Sequence, residues 1–552
     1  MGIQSTEKPQ NKIVKSSKDL DSCVDLKIIQ VAIIGCGAAG VATLFSLLES
    51  LPLGTNKNFK IVIFEKSSAF GPGLAYQCDS NELLMNMTSA TTSIFPHQEA
   101  DFWNWMLDKG YSMGGDQVTS RQGTGPSGYI SRQFFGIYLK SRLEDAISSL
   151  ERLGVEVELI NLEVVDINIL DANKFNIKVH GGHSRVFNGV ILCTGNTSPN
   201  DIFNLIGTSQ YINNPYPVNK YLKLINKMDS VGIIGGQLTA ADIAVVLANQ
   251  DHQGKINFFT RDSNFPLTRC QGKQYQLQYM TLDNLEILKN KNSKGISVRQ
   301  ILRLVRKDFF LAGIRWNKFF DNSNDEYCDW IRSLLEGQKD FSVWQQLAIN
   351  SDMVIGDYWN ALSYSEKDLF MSKFHRLWAT KRVPLPTHTA LKLYSLFRSG
   401  ILKHYPYLEK IDTSNRNKFT IFVGNSPRSN SSAEVCCDWL INATGPSRDL
   451  GGDDESPLIN NLLKSGVVIK NPHGGILLDY ETSTVKTKAH LNLKHFYAIG
   501  HLTSGTYYFV SSLDMVSLKA KSVARHLVDS FELGHDCRNL ANYAQHENMH
   551  AS

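Results

Sequence analysis

The amino-acid sequence predicts an α/β fold, and three observations support that class. Two segments, one near residue 28 and one near residue 230, each read as an apolar strand, a glycine turn and an apolar-periodic helix. Two other segments alternate β-branched and polar residues, as antiparallel strands do. Residues from about 269 to 398 are helical and aromatic in pattern. We therefore expect two Rossmann-like dinucleotide-binding domains, one inserted in the other, with an inserted helical subdomain.

The first strand–turn–helix unit is IIQVAIIGCGAAGVATLFSLLES, with Gly35, Gly37 and Gly40 in the pattern G-x-G-x-x-G. The first glycine makes the tight turn, the second admits a pyrophosphate, and the third lets the helix pack against the strand. The next strand, FKIVIFE, ends at Glu65. A carboxylate there accepts hydrogen bonds from ribose hydroxyls, so this unit suits FAD.

The second unit is SVGIIGGQLTAADIAVVLANQ, followed by the strand KINFFTRD. Gly235 suits the turn, and Ala240 fills the third position, which tolerates alanine. The acidic residue is replaced by Arg261, which would accommodate a 2′-phosphate, so this unit suits NADPH. The alternative is that Arg261 is an ordinary exposed arginine at the end of a strand.

Gln237 stands where the second glycine of the pattern belongs. Its side chain would crowd a pyrophosphate, and three interpretations stay open. The side chain points away, a one-residue slip turns Gly236 toward the phosphates, or the site is degenerate. Because Gly235, Thr239 and Arg261 are retained, we favour a working but weakened site.

Three further strand ends are expected near the bound nucleotides or, for the first two, at the crossing between the domains. VILCTGN places Thr194 and Gly195 after an apolar strand, and LINATGP places Thr444 and Gly445 after another. Near the C-terminus a strand ends at Gly500, and a small-residue turn and a helix follow. That helix N-terminus would face the flavin and stabilise negative charge.

Composition excludes several classes of protein. The 552 residues carry a formal net charge of only +4 without a long basic run, so a nucleic-acid partner is not expected. No stretch approaches about 18 consecutive apolar residues, so no transmembrane segment is predicted. The nine cysteines form no C-x-x-C motif, which fits a cytoplasmic setting and argues against a dithiol reductase. His375 and His388 lack a second ligand at metal spacing, so no metal site is predicted.

The predicted domain boundaries follow from these patterns. Residues 1–26 form a disordered lead, in which Gly2 and Thr6 match a loose myristoylation pattern that leaves acylation undecided. The remaining segments are an FAD-binding domain in two parts (27–215 and 431–535), an NAD(P)H-binding domain (216–268 plus 399–430), a helical insert (269–398) and a C-terminal tail (536–552).

Several longer stretches carry a resemblance to a known family. They are GPGLAYQCDSNELLMNMTSA, SRQFFGIYL, YINNPYP, LWATKRVPLP and FYAIGHLTSGT. With the two glycine turns, they resemble the FAD/NAD(P)-binding flavoproteins that include aspartate N-hydroxylases and are related to ornithine and lysine N-hydroxylases. Gln237 departs from that family, which normally has glycine there.

The resemblance implies two cofactors, FAD and NADPH. It implies an FAD site at Gly35, Gly37, Gly40 and Glu65, with Asn86, Met87 and Arg132 as further contacts. It implies an NADPH site near Gly235, Gly236, Thr239 and Arg261.

The predicted function is that of an FAD-dependent, NADPH-linked oxidoreductase, a single-component monooxygenase that hydroxylates a small amine or amino acid with oxygen. No catalytic side chain is assigned, because the cofactor supplies the chemistry. Two alternatives remain: an FAD oxidoreductase that does not use NADPH, and a non-catalytic FAD-binding scaffold. The sequence leaves the substrate and a homo-oligomeric state open.

Overall fold

The computed structural model describes eleven ranges of the chain: 13–14, 28–52, 58–111, 128–270, 275–317, 326–338, 341–414, 418–424, 432–452, 456–488 and 493–531. Gly2, Thr6 and the tail 536–552 lie outside these ranges. No described helix is long and apolar enough to cross a membrane.

The first sheet has six parallel strands. Across the sheet they are Ile13–Val14, Glu156–Ile160, Phe59–Phe64, Ile29–Ile34, Gly189–Leu192 and Phe496–Ala498. The central strands are buried on both faces, which explains why they read as continuous apolar runs. The prediction of a wholly disordered lead was wrong at Ile13–Val14, because this pair adds an edge strand against Leu159 and Ile160.

The second sheet has five parallel strands, and four of them repeat the order of the central strands of the first sheet. Across the sheet they are Leu402–Pro406, Ile256–Thr260, Val231–Ile234, Trp439–Asn442 and Tyr211–Ile212. All five strands fall between the last two strands of the first sheet in the chain. The second sheet is therefore nested within the first in sequence, as the two strand–turn–helix units predict.

Each parallel sheet is accompanied by a three-stranded antiparallel meander. The first meander is Val164–Asp171, Lys174–Val179 and Ser184–Phe187; the second is Leu408–Asp412, Phe419–Val423 and Ala433–Cys437. Each one leads into a parallel strand of its own sheet, Gly189–Leu192 in the first case and Trp439–Asn442 in the second.

This pairing changes two of the predicted boundaries. The segment from 431 to 442 was assigned to the FAD domain, but Trp439–Asn442 pairs with Val231–Ile234 in the second sheet. Tyr211–Ile212, assigned to the first part of the FAD domain, also pairs in the second sheet. The reason is that the late meander is a counterpart of the early one and completes its own sheet. The chain returns to the first sheet near Ser447, where Thr197 Oγ1 donates to the Ser447 carbonyl over 2.5 Å.

Helices flank both sheets and fill the insert. Those outside the insert are Ala38–Ser50, Gly73–Tyr76, Asp101–Asp108, Arg132–Arg152, Val218–Tyr221, Leu238–Asn249, Pro457–Ser465, Ser504–Tyr507 and Leu513–Ser530. Short 3₁₀ helices are Ser89–Thr91, Leu222–Leu224 and His501–Thr503. The insert holds Leu282–Lys291, Val298–Leu311, Tyr327–Leu335, Ser342–Ala361, Tyr364–Lys373, His375–Arg382 and Thr387–Arg398. Between 269 and 398 the described residues contain only isolated β-bridges besides these helices.

A half-buried imidazole in the second sheet, that of His404, predicts acid sensitivity. His404 shares a 2.8 Å hydrogen bond with Thr260 Oγ1, and burial lowers its pKa to about 3 although Asp262 opposes the shift. An unfolded histidine has a pKa of about 6.5, so the unfolded chain binds the extra proton and stability falls as the pH drops below that value. Replacing His404 by glutamine should reduce the loss of unfolding free energy between pH 7 and pH 5 by about 1–2 kcal/mol.

Urea unfolding at pH 7, 6 and 5 measures this difference. The exposed His97→Gln variant is the matched control and should follow the wild-type pH profile. An unchanged pH profile in the His404 variant would contradict the assignment.

Candidate functional site

The predicted FAD residues meet at one edge of the first sheet. Because the strands are parallel, their carboxyl ends share that edge, where ligands bind in sheets of this kind. The turn at Gly35–Gly37 follows Ile29–Ile34, and Glu65 follows Phe59–Phe64. Thr194 and Gly195 follow Gly189–Leu192, and Gly500 follows Phe496–Ala498.

The first turn has the geometry that its glycines predict. Gly35 has a φ of +100°, and a Cβ there would lie 2.2 Å from the Cys193 carbonyl oxygen. A Cβ at Gly40 would lie 2.3 Å from the Gly35 carbonyl oxygen. Both glycines are therefore required for the backbone to pack, before any ligand is considered.

Gly37 differs from Gly35 and Gly40, because its backbone conformation does not require glycine. Its φ is −87°, and a Cβ there would lie 3.4 Å from the Gly73 α-carbon, which is tight but not prohibitive. Gly71 donates to the Cys36 carbonyl over 2.7 Å and holds this second loop against the turn. Glycine at position 37 therefore keeps space open beside the N-terminus of helix Ala38–Ser50, where phosphates bind favourably.

Glu65 is only 9% exposed and lies directly beside the turn. Its Oε2 accepts the Cys36 backbone N–H over 2.8 Å, and its Oε1 accepts the Ser67 N–H over 2.9 Å. A carboxylate accepts about four hydrogen bonds, so each oxygen keeps capacity for a ribose hydroxyl.

The remaining edge residues leave open space where a cofactor would pass. Gly195 has a φ of +78° and Gly500 a φ of +84°, and a Cβ at either would meet nothing within 4 Å. These turns therefore need glycine for their backbone and present only hydrogen atoms to the space in front. Together with the first turn and Glu65, the residues present fit FAD.

The second turn repeats the first residue by residue. Gly235 has a φ of +128°, and its Cβ would meet the Ala443 carbonyl as that of Gly35 meets Cys193. The backbone N–H of Gly235 donates to the Phe259 carbonyl over 2.8 Å, and the backbone N–H of Gly35 donates to the Phe64 carbonyl over 2.8 Å. Ala240 is fully buried in the place of Gly40.

Gln237 follows the same backbone path as Gly37. Its φ and ψ are −99° and −160°, against −87° and −162° for Gly37. The interpretation of a one-residue slip is therefore wrong. The Gln237 side chain donates to Thr380 Oγ1 over 3.2 Å, on helix His375–Arg382 of the insert. Gly236 is instead enclosed: its Cβ would lie 2.8 Å from Thr260 Cγ2, and its carbonyl accepts from Tyr327 Oη over 2.8 Å.

Arg261 is exposed at the end of Ile256–Thr260, beside a second arginine. Partial desolvation of the guanidinium and the nearby Arg376 lower the pKa of Arg261, while Asp262 opposes the shift. Arg376 pairs with the Asp262 carboxylate and comes from the same insert helix as Thr380. Two guanidinium groups with one carboxylate make a locally positive site at the strand end. Thr239 lies partly exposed in the first turn of helix Leu238–Asn249.

Three predicted flavin contacts, Arg132, Asn86 and Met87, also contact residues of the second domain or the insert. Arg132 is salt-bridged to Asp242 over 2.8 Å, donates to the Leu84 carbonyl and donates to Tyr216 Oη. Burial opposes the charge of Arg132, but Asp242 outweighs it, so the pKa of Arg132 lies above its ordinary value. All three guanidinium nitrogens are engaged in these contacts. A flavin contact from Arg132 stays a prediction.

Asn86 and Met87 also contact a residue outside the first domain. The Asn86 carbonyl and the Met87 sulfur both face Arg269 Nη2, over 2.6 and 3.3 Å. Arg269 begins the segment predicted as the helical insert. A flavin contact from Asn86 or Met87 stays a prediction.

Sequence reasoning missed four residues of these sites: Asp242, Tyr216, Thr380 and Arg376. Asp242 stands in an otherwise apolar helix, and a charge among apolar residues is a signal of a buried partner. Thr380 and Arg376 carry no local signal, since only the packing of the insert brings them to the second turn. Among the described residues, no group of three or more His, Cys, Asp or Glu side chains is arranged to hold a metal ion.

Comparison with known proteins agrees with this geometry. Residues 32–197 match the family model described as FAD-NAD(P)-binding. The uncharacterized protein YdhS of Escherichia coli is 25% identical over 228 residues, which is 40% of either chain. The chain thus matches well under half of that relative's length.

Solved structures extend the comparison to nearly the whole chain. The ornithine N-hydroxylase of Kutzneria sp. 744, solved with reduced FAD, NADP⁺ and L-ornithine, has a TM-score of 0.54 at 14% identity, covering 92% of this chain and 99% of that one. The L-lysine 6-monooxygenase of Pseudomonas syringae has a TM-score of 0.54 at 14% identity, with 90% and 98% covered. The cadaverine monooxygenase of Erwinia amylovora, bound to FAD, has a TM-score of 0.53 at 14% identity, with 91% and 95% covered.

At such low sequence identity these structures support the assignment of the fold alone. The family match and the geometry of the first turn support the assignment of the nucleotide-binding domain. Residues 32–197 therefore belong to an FAD/NAD(P)-binding domain, in a chain with the fold of the ornithine and lysine N-hydroxylases.

Proposed function

We propose that the protein is an FAD-dependent, NADPH-linked monooxygenase that hydroxylates the nitrogen of an amine. The observation that carries the proposal is the pair of turns with matching backbones at the carboxyl edges of two nested sheets. Glu65 suits the first turn to a ribose with a free 2′-hydroxyl, and Arg261 with Arg376 suits the second turn to a 2′-phosphate. We also propose that the protein is cytoplasmic, as the sequence predicts.

The reaction balances with oxygen and one molecule of NADPH. An amine R–NH₂, O₂, NADPH and a proton yield R–NHOH, NADP⁺ and water. FAD, when bound, supplies the redox chemistry that links hydride oxidation to oxygen reduction. The protein binds both nucleotides, orients the amine and excludes water.

Each group of residues has a share in this work. Gly37 keeps the pyrophosphate position open, and Glu65 holds the adenosine ribose. The two arginines favour the phosphorylated nicotinamide cofactor. The insert closes over the second turn through the contact of Thr380 with Gln237.

Anaerobic titration of the purified yellow protein with NADPH tests the proposal. Bleaching of the flavin, followed by reoxidation with air and formation of a hydroxylamine from an added amine, is the expected result. A flavin that dithionite bleaches but NADPH does not would favour the two alternatives, an FAD oxidoreductase without NADPH or a non-catalytic FAD-binding scaffold.

NADPH should be preferred to NADH by about ten- to a hundredfold in kcat/KM for flavin reduction. A charge-assisted hydrogen bond contributes roughly 1.5–3 kcal/mol, and an exposed pair at most about 1. Replacing Arg261 by alanine should reduce the preference about tenfold, with Arg376 retaining the remainder. The exposed Arg299→Ala variant is the control, and an unchanged ratio in the Arg261 variant would show that another residue reads the phosphate.

Replacing Gln237 by glycine should tighten NADPH binding several-fold without changing FAD content. The variant removes a side chain from the position that glycine occupies in the first turn, and it leaves the backbone path, which Gly37 also adopts, intact. Thr380→Val is the matched control, because it removes the hydrogen bond but keeps the glutamine. If both variants bind NADPH more tightly by the same factor, the hydrogen bond and not the side-chain volume limits the site. Weaker binding in the Gln237 variant would contradict crowding and make Gln237 a ligand.

A further inference from the structure

The insert forms most of a partly open cavity that shares no lining residue with either nucleotide site. Its volume is about 90 Å³, many times the roughly 10–15 Å³ that one water requires. It lies among helices Val298–Leu311, Ser342–Ala361 and His375–Arg382 of the insert, and Tyr508 borders it from the C-terminal segment of the first domain.

The cavity wall offers nothing to a charged ligand. The sixteen residues that line it are all apolar or aromatic, and four of them are tryptophans: Trp316, Trp344, Trp359 and Trp378. The carboxylate of Asp308 lies beside a smaller adjoining space, but its oxygens already accept backbone N–H groups of Gln278, Tyr279 and Met280. A cavity with such walls stays dry and favours an apolar ring.

One polar atom of the lining has no acceptor among the described residues. Trp378 Nε1 is buried and makes no hydrogen bond. By contrast, Trp359 Nε1 donates to the Gly505 carbonyl over 2.8 Å, and Trp344 Nε1 donates to the Lys381 carbonyl over 3.2 Å. Since an unpaired buried donor costs about 1–3 kcal/mol, a ligand acceptor that reaches Trp378 would recover that free energy.

Tyr508 connects the cavity to the flavin-domain segment that begins at Gly500. Its backbone has φ +66° and ψ −63°, a strained conformation for a bulky residue. Contacts on both sides hold it there: its carbonyl accepts from Arg448 Nη1 over 3.1 Å, and its hydroxyl shares a 3.1 Å hydrogen bond with His375 Nδ1. Its ring also packs on Trp359, with centroids 5.0 Å apart. These contacts therefore hold the Tyr508 ring as one side of the cavity, next to the segment that begins at Gly500.

We propose that this cavity binds an uncharged aromatic group that carries one hydrogen-bond acceptor for Trp378. The identity of the substrate rests on the proposed N-hydroxylation. The substrate is then an amine that carries an aryl group, rather than a diamine or a diamino acid. The ring occupies the cavity, and the amine extends past Tyr508 toward the first domain.

Anisole and ethylbenzene test the cavity directly, because they are nearly isosteric and only anisole has an acceptor. Isothermal titration calorimetry of the FAD-loaded protein should show anisole binding about three- to tenfold more tightly. The Trp378→Phe variant should bring the ratio to about one while ethylbenzene still binds. Val305→Phe should weaken both ligands at least tenfold by filling the space. Leu311→Phe, exposed on the same helix, should change neither affinity.

Several results would overturn the proposal: no binding of either ring by the wild type, an anisole preference that survives in Trp378→Phe, or wild-type affinity in Val305→Phe. Circular dichroism and FAD content establish that each variant is folded. If Val305→Phe does not fold, Ile301→Phe on the same wall replaces it.

Turnover separates this inference from the proposed function. NADPH-dependent hydroxylamine formation should be faster with 2-(4-methoxyphenyl)ethylamine than with ornithine. Ring binding without any NADPH-dependent flavin reduction would refute the proposed function and leave the cavity assignment supported. Efficient turnover of ornithine without ring binding would refute the aryl assignment alone.

Discussion

Replacing Gly37 by glutamine should give a folded protein with less than a tenth of the normal FAD content. The φ of −87° is open to any residue, and a Cβ would lie 3.4 Å from the Gly73 α-carbon, so the backbone can be kept. The rest of the side chain would occupy the space beside the helix N-terminus that a pyrophosphate needs. Loss of flavin would thus come from occupied space and not from strain.

The ratio of flavin absorbance to protein absorbance measures the effect, and circular dichroism checks the fold. Gly452→Gln is the matched control, since Gly452 is exposed, has no positive φ and has open space in front. Normal occupancy in the Gly37 variant would place the pyrophosphate elsewhere. Gly35 is unsuitable for this test, because any side chain there collides with the Cys193 carbonyl and damages the fold itself.

Breaking the buried pair of Arg132 and Asp242 should have the largest effect on stability. The two groups are 2.8 Å apart, with side chains 21% and 9% exposed, and Tyr216 Oη donates to the same carboxylate oxygen over 2.8 Å. Replacing Arg132 by methionine leaves a buried carboxylate without its cation, which costs about 3–5 kcal/mol. The double variant Arg132→Met/Asp242→Leu should recover most of that loss, because it removes both charges.

Urea unfolding of the flavin-loaded protein measures these differences. The exposed pair of Lys289 and Glu286 provides the control, and Lys289→Met should cost less than about 1 kcal/mol. A single-variant cost of that same size for Arg132 would show that water reaches the pair and that the two domains do not depend on it. A double variant as unstable as Arg132→Met would show that lost packing, not an uncompensated charge, is the cause.

Local constraints in the sequence determined the two nucleotide turns. Gly35 and Gly235 need a positive φ, and Gly40 and Ala240 must be small where helix meets strand, so residue type alone limits those positions. Glu65 and Arg261 end strands that follow the turns, and parallel pairing brings them to the same edges. These features depend on residues that are close in the chain or on a fixed topology, which explains why the sequence pattern predicts them.

Tertiary structure alone decided the pairings of distant segments. The strand Trp439–Asn442 has an apolar pattern that suits either sheet, and only its hydrogen bonds to Val231–Ile234 assign it to the second. Arg132 was free to face a flavin or a carboxylate until helix Leu238–Asn249 placed Asp242 beside it. Likewise, no local rule joins Gln237 to Thr380 or unites Trp378 and Tyr508 around one cavity. Such contacts depend on how whole elements pack, and many different sequences share the same local pattern.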